Sequence, residues 1–225
     1  VEYDEVARSQ SARGELVLRR RHDGAGPSVL ELRANGVFVM DSAEHASEQA
    51  LADAGLEVVE LPARVLVGGL GLGFTLDRVL GDHRVEQCDV VEIEQALVDW
   101  MRDGTIPHGR RLLADRRARV IVADVASAVA EAGPSSYDVV LLDVDNGPGQ
   151  LVHEGNAVIY GEPFLDAVRE VLAPGGALVV WSAGRSTELL DHLRSSFGAA
   201  EEHAHDVRLQ DRDERYWLYV ARRAR

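Results

Sequence analysis

Three stretches of this 225-residue chain place chemically capable side chains at telling spacings. The first is GGLGLG, where Gly68, Gly69, Gly71 and Gly73 stand between an unbroken apolar run, ARVLV, and a helical pattern. Glycine there lets the backbone turn sharply and lets a ligand approach amide groups closely, which is how a nucleotide is cradled. The same string also occurs as pure turn geometry, so its surroundings decide. Roughly 20 residues past such a loop an acid can accept hydrogen bonds from a ribose diol, and Glu92 ends the run VVE there. Asp124 ends a third apolar run, ARVIVAD. Two compatible readings fit it, a ligand-facing acid and the N-cap of the following ASAVAEA pattern. Ile93 and Val125, next after the two acids, are grouped with them and with Gly69, Gly71 and Gly73 as cofactor-binding positions.

The second stretch, DVDNGPG, brings Asp143, Asp145 and Asn146 together as catalytic candidates. A carboxylate at the ligand-facing end of a strand can take or orient the proton that an amine nucleophile sheds. Acid and amide side by side can grip that amine from several directions. The plainer alternative is an Asx-turn in which Asp145 and Asn146 satisfy their own backbone. The third stretch, LVHEGNAVIY, carries His153, Asn156 and Tyr160 and is expected to fold over the same edge as a lid. His153, able to relay a proton, and Tyr160 are candidate substrate-binding residues; an exposed, idle histidine is the alternative for His153.

Other chemistry-bearing residues fit blander roles. Trp100 and Trp181 suit packing, with stacking on a ligand as the alternative. His203-Ala204-His205-Asp206 has metal-like spacing on what reads as a late surface loop, but no second ligand segment accompanies it, so no metal is expected. Arg19-Arg20-Arg21 reads as an exposed strand end, with anion binding as a minor alternative. All 24 basic residues are arginine, which excludes Schiff-base, pyridoxal-phosphate and Walker-A lysines. A single cysteine, Cys88, forms no intrachain disulfide. The opening VEYDEVARSQ has no apolar leader core, so the cytoplasm is the expected compartment. No apolar run nears the roughly 18 residues of a membrane span. A net charge of −14 disfavours nucleic acid and favours cationic small molecules.

These residues need a scaffold, and the pattern supplies one. Short apolar runs alternate with helical patterns from residue 63 onward, the signature of an α/β, Rossmann-like, doubly wound and mostly parallel sheet. Strands are expected at ARVLVGG, VEQCDVVEIE, ARVIVADV, YDVVLLD, ALVVWSAG, HDVRLQD and RYWLYVARR. Helices are expected at FTLDRVLG, QALVDWMRDG, SAVAEAG, Glu162–Leu172 stopped by an APGG turn, and TELLDHLRSSFG. Before them GELVLRRR, SVLELRANG and VFVMDS predict a small N-terminal antiparallel β-subdomain with a hairpin at Asn35-Gly36. A helix over AEHASEQALADAGL, with Ala50, Leu51 and Ala54 on one face and Gly55 near its end, leads into the main unit. The expected division is 1–60 and 61–225.

The order of these motifs resembles the spermidine synthase family of aminopropyltransferases, within the class I S-adenosylmethionine-dependent transferase fold. VLVGGLGLGF is similar to that family's VLVIGGGDGG, YDVVLLDVDNGPG to its YDVIIVDSSDPVGP, and AVIYGEPFLDAVREVLAPGGALVV to its LFSKEFYELCKRVLKPGGILVV. The resemblance implies Glu92 on the donor ribose, Asp124 at the adenine amino group and Asp143 at the catalytic position. It also implies S-adenosylmethionine or its decarboxylated form as donor, no metal, a small amine-containing acceptor and an arrangement compatible with a homodimer. Three departures stand out: Leu72 replaces the loop aspartate that holds the donor's amine, Asn146 replaces a second acid, and Ser47-Glu48-Gln49-Ala50 replaces a Tyr-x-Glu-Met helix segment. Leu72 leaves a terminal ammonium unpaired, a costly arrangement, whereas loop amides tolerate a carboxylate. Methyl transfer is therefore slightly favoured over aminopropyl transfer. The alternatives are a true polyamine synthase, with Glu48 or Asp145 reaching the ammonium, a non-catalytic nucleoside-binding subunit, and a nicotinamide-dependent oxidoreductase, in which the third-strand acid and DVDNGP would have no role.

Overall fold

A computed structural model describes residues 2–22, 24, 26–209 and 212–225. Four strands, β1 (Glu2–Ser11), β2 (Gly14–His22), β3 (Val29–Ala34) and β4 (Val37–Asp41), form an antiparallel sheet in chain order. Asn35 and Gly36, at φ 52° and 78°, both take the left-handed backbone that a two-residue hairpin matching strand twist requires. The outermost strand β1 is unexpected. It is mostly exposed, so no apolar alternation marks it, and backbone pairing along nearly the whole of β2 holds it. The three arginines expected at an exposed strand end instead lie within β2: Arg19 pairs with the fully buried Glu31 at 2.6 Å, and the buried Arg21 with Asp41 at 3.1 Å.

Seven further strands make the main sheet: β5 (Arg64–Gly68), β6 (Gln87–Glu92), β7 (Ala118–Val122), β8 (Tyr137–Leu142), β9 (Leu172–Ser182), β10 (Ala200–Leu209) and β11 (Arg212–Arg222). Their order is β10-β11-β9-β8-β5-β6-β7, parallel from β9 to β7, with β10 and β11 added antiparallel at one edge. Alternation along the strands feeds two cores. Val65, Val67, Val139 and Leu141 face one, and Leu66, Val140 and Leu142 the other. The first core is roofed by α1 (Ala46–Val58), α2 (Phe74–Leu80), α3 (Gln95–Asp103) and α4 (Gly109–Leu113). The second is roofed by α5 (Val125–Glu131), α6 (Glu162–Val171) and α7 (Thr187–Phe197). Between β5 and β8 the strand order reverses, which opens a crevice beyond their carboxyl ends.

Several expectations need correction. Helix α1 buries Ser47, Glu48, Leu51, Ala52, Gly55 and Leu56, with Ala50 and Ala54 only half-buried on its flank. Gly55, near the end of α1 as expected, is glycine because a Cβ there would stand 2.7 Å from Leu141 Cδ2 and 2.8 Å from Val139 Cγ1. The APGG segment does not separate α6 from its strand. It is the irregular start of β9, with the register against β8 shifting between Tyr137 and Val139. Strand β10 begins five residues before HDVRLQD, whose last two positions lie outside the described residues. The His203–Asp206 cluster is therefore on a paired strand rather than a loop, with alternate side chains facing opposite ways. Among the described residues no three histidine, cysteine, aspartate or glutamate side chains gather as a metal site. None of the described helices is long and apolar enough to cross a membrane.

Candidate active site

The crevice at the reversal point is closed from above by the N-terminal sheet, and its wall combines both units. Gly69 and Gly71 of the loop after β5 line it together with Glu92, Ile93, Asp143, Asp145, Asn146 and His153. The antiparallel sheet contributes Arg13, Phe38 and Met40, and α1 contributes Ser47 and Glu48. A smaller adjoining recess shares Gly69, Glu92 and Ile93 with this cavity and is lined in addition by Asp124 and Val125.

Gly69 has φ 94°, and a Cβ on it would fall 2.0 Å from the Asp143 carbonyl oxygen, so glycine is what lets the ends of β5 and β8 lie side by side. Gly73 plays another part. It is the N-cap of α2, and a Cβ there would meet Met101 Cε at 2.6 Å, so packing against α3 explains it; it lies off the walls of both recesses. Leu72 is fully buried in the first core, and its amide faces Met40 Sδ at 3.3 Å. The loop amides expected to meet a carboxylate are largely engaged already. Gly69 N donates to Val91 O, Leu70 N to Glu92, and Gly73 N to Leu70 O.

Glu92 is buried, and both its oxygens accept backbone amides, Oε2 from Leu70 at 2.9 Å and Oε1 from Glu94 at 2.7 Å. Burial pushes its pKa up, partly countered by those amides. The carboxylate thus ties the glycine loop to β6 while facing the cavity. Asp124 caps α5, accepting from Ala126 N at 2.7 Å and Ser127 N at 3.3 Å, and also lines the smaller recess, so both readings of it hold geometrically.

Asp143 follows β8 directly and accepts a hydrogen bond from Thr75 Oγ1 at 2.9 Å. Burial pushes its pKa up to about 6, the threonine opposing. Opposite stands Glu48, 7% exposed and bonded by Ser47 Oγ at 2.8 Å. Burial first and the Asp143 charge second push its pKa up to about 8. Asp145 organises the loop: Asn146 N, Val152 N and His153 N point to it at 2.7, 2.7 and 3.4 Å, and Asn156 Nδ2 donates at 2.6 Å. Asn156 in turn accepts from Arg13 at 3.0 Å, and Arg13 reaches Glu94 at 3.6 Å. His153 Nδ1 accepts from Gly155 N at 3.2 Å and caps the 3-10 turn Glu154–Tyr160. Tyr160, expected to touch substrate, ends this turn buried in the second core and borders neither recess, but its phenol lies near Asp145 and Asp143, and burial together with their charges raises its pKa. Of the two tryptophans, Trp100 is core, whereas Trp181 lines the cavity with its ring centroid 4.8 Å from that of Tyr216.

Sequence reasoning did not assign Thr75, Arg13, Met40 or Tyr216 to the site. Thr75 sits in the first turn of α2, where its proximity to Asp143 depends on how two segments distant in sequence meet. The others come from the antiparallel sheet and from β11, whose docking over the crevice no local pattern encodes.

A Rossmann-like sheet with a ligand crevice at its reversal point, roofed by a small antiparallel sheet, defines the class. The family model for the spermine/spermidine synthase domain matches residues 44–197, and the chain belongs to that family. Putrescine N-methyltransferase 3 of Nicotiana tabacum is 33% identical over 134 residues, 59% of this chain and 32% of that protein. The polyamine aminopropyltransferase of Aeropyrum pernix is 27% identical over 197 residues, 82% of this chain and 58% of that one. The match thus spans about a third of the tobacco enzyme's length. A crystal structure of spermidine synthase from Thermotoga maritima superposes with a TM-score of 0.80 at 17% identity, covering 98% of this chain and 73% of that one, a likeness of fold.

Proposed function

We propose that this chain transfers an alkyl group from an S-adenosylmethionine-type donor to an amine of a small cationic acceptor. The observation that carries the reading is adjacency: two recesses that share Gly69, Glu92 and Ile93 hold Asp124 in one and Gly71, Asp143 and Glu48 in the other. In this reading the donor's ribose bonds to Glu92, its adenine lies by Asp124, Ile93 and Val125, and its sulfonium carbon comes before Asp143. The acceptor nitrogen forms the new N–C bond as the C–S bond breaks, and its proton passes to the Asp143 carboxylate and then to solvent. Alignment of nitrogen, carbon and sulfur supplies much of the rate. Asp145 is a positioning residue that sets the 145–156 loop and His153 beside the acceptor.

Methyl is the group this reading assigns, because Leu72 lies in the core and brings no acid to the donor's tail. Similarity to proteins named putrescine N-methyltransferases agrees with it. Aminopropyl transfer is the second reading, favoured by Glu48, an acid able to pair with a terminal ammonium, and by the engaged loop amides. Thermal-shift titration with S-adenosylmethionine, its decarboxylated form and methylthioadenosine, followed by mass spectrometry of amine products, tests both. A donor-dependent rise in Tm and a methylated amine are expected. Tighter binding of the decarboxylated donor with an aminopropylated product would establish the second reading, and absence of any nucleoside-dependent shift would defeat both.

A further inference from the structure

Glu48 is a buried carboxyl whose neighbours do not explain it. It projects from the first turn of α1 into the cavity, and its one side-chain partner is the Ser47 hydroxyl. The charges acting on it are negative: Asp143 from the end of β8 and Glu44 just ahead of α1. Tyr216 of β11, whose own pKa is raised by burial and by Glu44 and Glu48, faces the same end. Asp41, at the end of β4, is already paired with Arg21. The basic groups on the cavity wall are engaged elsewhere, Arg13 with Asn156 and Glu94, and His153 with Gly155 N. On this wall too, the Trp181 indole N–H is buried with no acceptor among the described residues. A carboxyl without a cation and an N–H without an acceptor mark this end of the cavity as shaped for a bound molecule.

We infer that Glu48 is a specificity-determining residue that receives the ammonium of the acceptor, opposite the nucleoside end of the cleft. The inference rests on the proposed transfer reading for the word acceptor, but its binding test does not depend on turnover. Glu48 is held largely protonated at neutral pH by burial and Asp143. An ammonium arriving beside it favours the carboxylate, so its proton leaves to solvent as the amine binds. Recognition of the cation and proton release are two readouts of one contact.

The test uses the full chain saturated with methylthioadenosine, titrated calorimetrically at pH 7 with putrescine and, as an uncharged control, 1,4-butanediol, in two buffers of different ionisation enthalpy. The wild type is expected to prefer the diamine and to release a fraction of a proton on binding it. Glu48→Gln should bind putrescine about tenfold or more weakly, as expected for loss of a charge-assisted bond, with no proton release, while its methylthioadenosine affinity stays unchanged. Glu48→Asp should restore part of the affinity and the proton release. Equal putrescine affinity in Glu48→Gln, a matching loss of nucleoside affinity, or a wild type that does not distinguish diamine from diol would each overturn the assignment. A wild type with the expected signature but no group transfer would defeat the proposed reaction and leave the role of Glu48 standing.

Discussion

At the residue scale the two opposed carboxyls govern how the protein answers to pH. In the proposed reaction Asp143 serves as base only when ionised, so the rate should fall as pH drops through about 6. Asp143→Asn should keep donor binding and lose roughly 10²–10⁴ in kcat, the usual worth of a positioned acid or base; a near wild-type rate would make Asp143 structural. Glu48 gives the opposite sign in stability. Its pKa rises on folding from 4.5 to about 8, so the native chain binds more protons than the unfolded one between those values, and stability should decline as pH rises through that window. Tm measured from pH 5 to 9 without ligand should therefore fall, and fall less in Glu48→Gln. A steeper decline in the variant would contradict the burial of this charge. Glu92→Ala should weaken nucleoside binding tenfold or more through lost ribose bonds of roughly 1.5–3 kcal/mol. It should also cost stability, because the Leu70 and Glu94 amides lose their acceptor.

At the element scale the parallel strands and the helices between them were legible because each is a short apolar run followed by a 3.6-residue period. The glycine loop and Glu92 were legible for the same reason, since both sit at strand ends that the pattern already marks. What escaped has physical causes. Strand β1 carries no apolar face, α4 is one turn long, and the APGG turn, with Gly175 at φ 81°, forms a bulge inside the span of β9 rather than a break before it. The packing of Gly73 and Tyr160 escaped because partners far along the chain, Met101 for one and the second core for the other, set it. Gly69 offers the sharpest test at this scale. Gly69→Ala sets a Cβ against the Asp143 carbonyl on a left-handed backbone, so it should destabilise by more than about 1 kcal/mol. Gly36→Ala meets open space and bears only the backbone strain of its positive φ. Chemical denaturation of the two variants should rank Gly69→Ala as the less stable; the reverse order would refute the close approach of the β5 and β8 ends as the reason for the glycine.

At the scale of the whole molecule, the antiparallel sheet does what the doubly wound sheet alone cannot, enclosing the crevice and adding acids to its rim. Arg13 fastens that sheet to the main unit through Glu94 and Asn156. Acidic side chains on the cavity wall outnumber the basic ones, and Glu44, Asp143 and Asp145 have no arginine partner among the described residues. With a chain charge of −14 they make the cleft a negative well within a negative surface. Such a field concentrates cations and repels polyanions, and its reach shrinks with the Debye length, from about 30 Å at 0.01 M salt to about 8 Å at 0.15 M. The acceptor's KM should accordingly rise with sodium chloride while kcat, set inside the enclosed cleft, changes little. An amine substrate should show this slope more steeply with two positive charges than with one. Steady-state kinetics at 20 and 200 mM salt with a mono- and a diamine would measure it, and a polyphosphorylated compound or nucleic acid emerging as the best acceptor would show that the field of the whole molecule does not select the substrate.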